Sequence, residues 1–262
     1  YYCSSWEDGS MKTGWQKVTV YDDEDGKDDD YDYWFNFKSN GEKRGWKDSA
    51  GKENWKSNGK YYSFDGRGVM IYEWALASGS TNASSVSNWR YYNSPEDGAR
   101  QTKGWFKVVA AEYLDLDRYN DDEDAWYYAD GSGNIYAGEF KTIKGKKYAF
   151  RNDGRMINGL KFIKEGTNDF EDVIADDDDN HSFDNEDDFL AQASTYFEGE
   201  GYKCYYFGGD EDGAMRTGKT SLTFDGENTN FYFEKSGGKK GAGVTGEKDN
   251  KLYQSGMLLK AD

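Results

Sequence analysis

The chain has few of the residues from which a globular core is usually built. Leu, Ile, Val and Phe together make up 38 of 262 residues, a share at which a highly charged chain normally stays unfolded. Proline occurs once, at Pro95, so almost nothing interrupts a strand ladder. Cysteine occurs twice, at Cys3 and Cys204, in matching places of two repeats. Matching places in a stack lie beyond the ~7 Å Cα separation that a disulfide bridges, so both are expected as small packed side chains. His181 is the only histidine, and one histidine without a serine or cysteine elbow defines no nucleophilic triad. No apolar run reaches the ~18 residues of a membrane span. Positive charge is short as well: 33 Lys and Arg face 50 Asp and Glu, a net charge of −17. That balance argues against nucleic acid and against anionic lipid surfaces.

What the chain has instead is rings: 9 Trp, 22 Tyr and 15 Phe. They recur in a phrase of an aromatic cluster, a Gly turn, often a Met, then a Gly-aromatic pair. Long versions run from Tyr1 to Trp15, Trp89 to Trp105 and Tyr202 to Lys219. Shorter echoes include GKYYSFDGRGVM (59–70), WYYADGSGNIYAGEF (126–140), GKKYAFRNDGRM (145–156), FYFEKSGGKKGAGVTG (231–246) and KLYQSGM (251–257). A unit of about 20 residues cannot bury its own aromatic face, so the units are expected to stack on one another. Short aromatic runs punctuated by Asp-Gly, Asn-Gly and Gly-Gly predict β-hairpins. The fold expected is all-β, a β-hairpin solenoid forming a single array over 1–262, in blocks of approximately 1–90, 91–204 and 205–262. Aromatic strands are predicted at Tyr33–Phe37, Ala125–Ala129 and Asn230–Phe233.

Acidic insertions lengthen the connections. Asp22–Asp32 holds eight acids, Asp115–Asp124 six, and Asp169–Asp188 eleven without a Lys or Arg. All three are expected as exposed loops, as is the Ser/Asn-rich 78–88, with one short helix allowed over Asp188–Ala193. The run around Asp177 and Asp179 has oxygens enough for Ca²⁺ but not the D-x-[DN]-x-[DN]-G spacing, so no metal is expected there. No cofactor is expected either. Fifty carboxylates make chance pairs inevitable, and none forms a glycosidase dyad on sequence grounds. We therefore expect no enzyme.

The phrases GW…YWF and GW…WYY, followed by DG-x-M-x-TGW or GKKYAF-x-x-DGRM, resemble the cell-wall-binding repeats of Gram-positive surface proteins. That family includes choline-binding modules, glucan-binding domains and the receptor-binding repeats of clostridial toxins, and the closest likeness is to cell-wall-binding repeat proteins of gut clostridia. The resemblance covers nearly the whole chain apart from the acidic inserts. It implies a hairpin solenoid with ligands held between successive hairpins.

Candidate ligand residues follow from the tryptophans, all nine of which lie at or before Trp126. They fall into the pairs Trp15 with Trp34, Trp74 with Trp89, and Trp105 with Trp126. A tyrosine of the following hairpin (Tyr62, Tyr127, Tyr148) is expected to complete a three-sided cage. Indole faces attract cations and offer flat platforms to sugar rings. Met11, Met70, Met156 and Met215 are expected to pack against such rings. Lys147 and Lys219 stand where aromatics are otherwise found, which assigns the Trp-free half a structural role. The function expected is a non-catalytic module that binds a cell-wall polymer or glycan, choline-bearing polymers included, by multivalency. A host-glycan adhesin or toxin-type array, and a spacer without ligand, are the alternatives. The implied setting is extracellular or cell-surface and wall-associated. Because the chain opens inside a repeat at Tyr1-Tyr2, a targeting segment is expected upstream in a longer protein.

Overall fold

The structure is a computed structural model that describes residues 1–23, 27–45, 53–175, 183, 185–194, 198–224 and 226–260. Most of its regular elements are short antiparallel strands joined to a neighbour in sequence. Five two-stranded hairpins come first: β1 (Gly14–Asp22) with β2 (Asp29–Phe37), β3 (Glu53–Ser57) with β4 (Lys60–Phe64), β5 (Glu73–Leu76) with β6 (Trp89–Tyr92), β7 (Gly104–Val109) with β8 (Asp124–Ala129), and β9 (Glu139–Ile143) with β10 (Lys146–Phe150). A three-stranded sheet follows, with β11 (Leu160–Glu165) between β12 (Phe170–Ala175) and β13 (Lys203–Tyr206). The last sheet has the order β14-β15-β18-β17-β16, from β14 (Gly218–Phe224), β15 (Glu227–Phe233), β16 (Gly246–Lys248), β17 (Lys251–Gln254) and β18 (Met257–Leu258). The chain divides into two compact units, Tyr1–Asp124 with Tyr128–Ile135, and Ala125–Tyr127 with Tyr136–Asp262, so that the division passes through β8.

Each hairpin ends in the same device. The last residue of its second strand, or one near it, bridges back across a Gly turn: Phe37 to Lys43, Phe64 to Met70, Tyr92 to Arg100, Ala129 to Ile135, Phe150 to Met156 and Phe233 to Gly243. The first residue of each of these pairs is buried. Three positions before Phe37, Phe64, Ala129 and Phe150, a strand carbonyl accepts a backbone N–H from the turn of the following repeat. Met70 donates to Trp34 and Arg100 to Tyr61 in the first unit; Met156 donates to Trp126 and Met215 to Lys147 in the second. The repeat is thus written in backbone hydrogen bonds, which satisfies the otherwise open edge of each short hairpin.

The cores consist largely of rings. In the first unit Tyr33, Phe35, Phe37 and Val69 form a buried cluster against Tyr2, Val18 and Val20. In the second, Phe162, Phe183, Phe189, Phe224, Phe231 and Phe233 gather with Leu160 and Cys204. A buried ring removes about 150–250 Å² from water, which is how so few aliphatic residues suffice. Cys204 is buried as expected of a small apolar side chain, whereas Cys3 is exposed.

The inserts depart from the loops expected of them. Most of the described part of the first extends its hairpin, with Tyr21 opposite Asp30 and Asp22 opposite Asp29, because Tyr31 and Tyr33 keep the alternation of a strand. The second contains a short helix, α1 (Leu116–Asn120), whose N-cap Asp115 accepts from the amide of Arg118. In the third, Phe170, Val173 and Ile174 form strand β12, and α2 (Glu186–Gln192) is capped by Asn185. Asp177, Asp179 and His181 lie outside the described residues.

The methionines, expected against rings, also rest on glycines, and Met215 packs on the cluster of Phe170, Tyr205 and Phe207 as well. A Cβ placed on Gly98 or Gly213 would overlap the sulfur of Met70 or Met156 respectively, and both glycines hold positive φ, +57° and +63°. The repeat Met therefore seats on the turn glycine of a following repeat. Met11 does so at Gly41 and Met215 at Gly241.

Candidate functional site

One box of rings is built by the first two hairpins. Trp15 lies in β1 opposite Asn36, the residue before the bridging Phe37. Its ring meets Trp34 edge-on at 6.4 Å, Trp55 at 5.8 Å, Tyr62 at 5.0 Å and Phe64 at 5.7 Å. Trp15, Trp34, Trp55 and Tyr62 are all half-buried residues. The expected trio of Trp15, Trp34 and Tyr62 is brought together here, with Tyr62 supplied by the following hairpin. Trp55 is a fourth ring that the pairing of tryptophans overlooked. Its signal was the Asn58-Gly59 turn: both residues have positive φ, +49° and +81°. A two-residue turn of that type sets Trp55 directly across from Tyr62.

Charge frames this box. Trp34 donates its indole N–H to Glu96 Oε2 at 2.9 Å, and Lys17 donates to Glu96 Oε1 at 2.6 Å. The hydrogen bond from Lys17, then that from Trp34, holds the Glu96 carboxyl below the usual carboxylate range. Arg44 lies over the Trp55 ring at 4.1 Å and donates from Nε to Asn36 Oδ1 at 2.9 Å. The arrangement offers indole faces, one carboxylate and one guanidinium, which suits a flat sugar ring or a cationic head group.

The contacts of the other expected residues are as follows. Trp74 packs on Tyr91 at 5.2 Å and Phe106 at 5.9 Å, and donates to the Val109 carbonyl at 2.7 Å. Trp89 is buried, stacks on Tyr113 at 6.5 Å and donates to the Ala83 carbonyl. Its ring contact is thus with Tyr113 rather than Trp74, because Trp89 stands opposite Leu76, two residues along the strand. Trp105 meets Tyr128 edge-on at 5.1 Å. Trp126 is half-buried and donates to Glu211 Oε2 at 2.8 Å. Tyr127 is fully buried and Tyr148 nearly so, which makes both rings core rather than cage walls.

Beside Trp74 lies a cleft of about 630 Å³, lined by Trp74, Tyr91 and Tyr119 together with Glu73, Asp122 and Asp124. Sequence reading assigned the insert after β7 to solvent, yet its Tyr119, Asp122 and Asp124 form one wall here. Burial, followed by the charges of Glu73 and Asp124, pushes the Tyr91 hydroxyl up. A second, more apolar groove of about 460 Å³ runs over Val18, Val20, Phe35 and Phe37 beside Tyr1 and Tyr2. Among the described residues no group of His, Cys, Asp and Glu is arranged to hold a metal, and no helix is long and apolar enough to cross a membrane.

No protein-family model and no curated protein sequence matches the chain. Solved structures do. CbpF in complex with ipratropium superimposes with a TM-score of 0.55 at 19% identity, over 97% of this chain and 76% of that one. Choline binding protein F from Streptococcus pneumoniae, in the presence of a tetrasaccharide-pentapeptide peptidoglycan analogue, has a TM-score of 0.54 at 18% identity, over 97% and 75%. The chain has the fold of the choline-binding repeat proteins. The resemblance seen in GW…YWF and GKKYAF-x-x-DGRM thus extends to the path of the backbone, and at this identity the likeness is one of fold.

Proposed function

We propose that this chain is a non-catalytic binding module for cell-wall polymers or surface glycans, using the ring box of Trp15, Trp34, Trp55 and Tyr62. The observation that carries the reading is that Trp15 touches rings from both its own and the following hairpin while all four stay partly exposed. In this reading the chain is one hairpin solenoid from Tyr1 to Met257, displayed at the surface of a Gram-positive cell, and the Trp74 cleft is a second place for the same polymer. Weak sites spaced along one repetitive polymer combine through high effective concentration. The ligands named for choline binding protein F, choline and a peptidoglycan fragment, are the first to try.

The test is a pull-down with purified cell walls and a glycan array, using the whole chain and its Trp15→Ala and Trp34→Ala variants. Retention on walls, release by choline and loss in both variants is the result expected. Retention insensitive to choline points to a neutral sugar in the same box. Wall and glycan binding absent throughout leaves a spacer and overturns the proposal.

A further inference from the structure

The backbone frame of the Trp15 box recurs in the second unit with different side chains on its walls. Phe140 in β9 stands opposite Ala149, the residue before the bridging Phe150, as Trp15 stands opposite Asn36 before Phe37. Lys147 lies three positions before Phe150, as Trp34 lies three before Phe37. The backbone confirms the match, since the Lys147 carbonyl accepts from Met215 and the Trp34 carbonyl from Met70, each in the following repeat. The rings beyond agree as well. Phe140 meets Tyr205 at 5.1 Å and Phe207 at 6.5 Å, where Trp15 meets Tyr62 at 5.0 Å and Phe64 at 5.7 Å. The Trp34 position changes chemistry, the Lys147 ammonium lying over the Phe140 ring at 4.5 Å, and the Trp55 position changes as well, since Lys161 stands opposite Tyr205 as Trp55 stands opposite Tyr62.

Building on the proposed function, we infer that Lys147 is a specificity-determining residue, an internal ammonium that occupies the second box and closes it to cationic head groups. A cation prefers the face of a ring, and a tethered one competes at an effective concentration of roughly millimolar or more. A free ligand of comparable affinity is therefore displaced. Burial holds the Lys147 ammonium below the ordinary lysine range, with Glu165 opposing and Lys240 and Lys203 adding to the shift. Dehydration of that kind is what a seated ammonium experiences. One repeat further on, the box closes by another route. Leu160 and Cys204 take the two wall positions, and both are buried in one cluster with Phe231 and Phe233. The same backbone place is thus partly open at Trp15, self-occupied at Phe140 and filled at Leu160.

The experiment is isothermal titration of the whole chain with choline chloride, with circular dichroism to establish that each variant is folded. Lys147→Trp is expected to add one choline site per chain, and Lys147→Met, a volume-conserving variant in case the indole does not fit, to add a weaker one. The reciprocal Trp34→Lys is expected to remove the site at Trp15. If wild type binds choline but folded Lys147→Trp and Lys147→Met both keep its stoichiometry, the inference is overturned and the Trp15 box stands. If neither wild type nor any variant takes up choline, the inference fails together with the cationic form of the proposed function.

Discussion

The Trp34 indole N–H reaches across 62 residues to Glu96, the first residue of the Glu-Asp-Gly (EDG) turn at 96–98. Trp126 makes the corresponding bond to Glu211, which opens the EDG turn at 211–213. The EDG phrase thus supplies more than a turn: its Glu holds the indole of an aromatic wall two hairpins earlier in the chain. Lys17 grips the same carboxylate as Trp34 does, and Glu96 is exposed, so the effect is on orientation rather than on stability.

Glu96→Ala is therefore expected to leave the melting temperature nearly unchanged while weakening wall binding by less than about fivefold. The folded-state pKa of Glu96 is depressed, so its contribution is present above the unfolded value of about 4.3 and is lost as pH falls through the lower folded value. Binding measured from pH 7 down to pH 3 should decline only at the acid end in wild type, and Glu96→Ala should lack that acid step. An identical acid profile in the variant would show that Glu96 does not position Trp34.

Trp15 does two jobs that one substitution cannot separate. Trp15→Ala empties a half-buried place among four rings and is expected to cost about 2–3 kcal/mol in urea unfolding, toward the low end for a ring because part of it is already exposed. Trp15→Phe keeps most of the packing but narrows the platform. It should unfold within about 1.5 kcal/mol of wild type and still lose most wall binding. Loss of stability and binding in strict proportion across the two variants would make Trp15 glue alone.

The seat between Met70 and Gly98 gives a separable test of how repeats are joined. Gly98→Ala adds a Cβ to the Met70 sulfur at a residue with φ of +57°, so about 1–3 kcal/mol of destabilisation is expected. Adding Met70→Ala relieves the overlap but not the backbone strain. Urea unfolding of the double variant should therefore show less than the sum of the two single effects. Simple additivity would mean that the thioether does not rest on that turn.

Period and turn chemistry made the hairpins readable. Asp-Gly and Asn-Gly turns flanked by rings marked most strands, including Tyr33–Phe37, Ala125–Ala129 and Asn230–Phe233, all of which are strand. Charge misled at the inserts. Asp29–Asp32 belongs to β2 because its partner strand carries Thr19 and Tyr21, and Thr19 donates its hydroxyl to Asp32 at 2.6 Å. At the box, counting tryptophans found Trp15 and Trp34 but not Trp55, whose place depends on a turn rather than on a repeat signature. Tyr127 and Tyr148 stand two positions before the bridging Ala129 and Phe150, as Tyr62 stands two before Phe64, so the phrase makes the three look alike although their burial differs. Tyr62 remains half-buried beneath Trp15, whereas Tyr127 and Tyr148 are sealed.

The first acidic insert is anchored by a carboxylate buried away from solvent. The Asp22 side chain is 1% exposed and ion-paired to Arg67 at 3.0 Å and Lys27 at 3.5 Å. Tyr33 donates its hydroxyl to Asp22 at 2.5 Å, and Lys27 donates to the Tyr33 oxygen at 2.9 Å. Arg67 belongs to the turn after β4, so this network ties the extended first hairpin to the second. Asp22→Ala leaves Arg67 and Lys27 facing each other without their shared anion, and about 2–3 kcal/mol of destabilisation is expected. The alkaline side adds a second readout. Lys27 is raised chiefly by its bond with Tyr33, and Tyr33 is raised by burial and by Asp22. Both groups therefore hold their protons more tightly in the folded state. Their contribution is complete below the unfolded pKa values of about 10 and is lost as pH rises through the higher folded ones. Tyr33→Phe cannot ionise, so above pH 10 its unfolding midpoint should fall less steeply with pH than that of wild type. Parallel curves for the two proteins between pH 9 and pH 12 would show that this network does not couple the insert to the second hairpin.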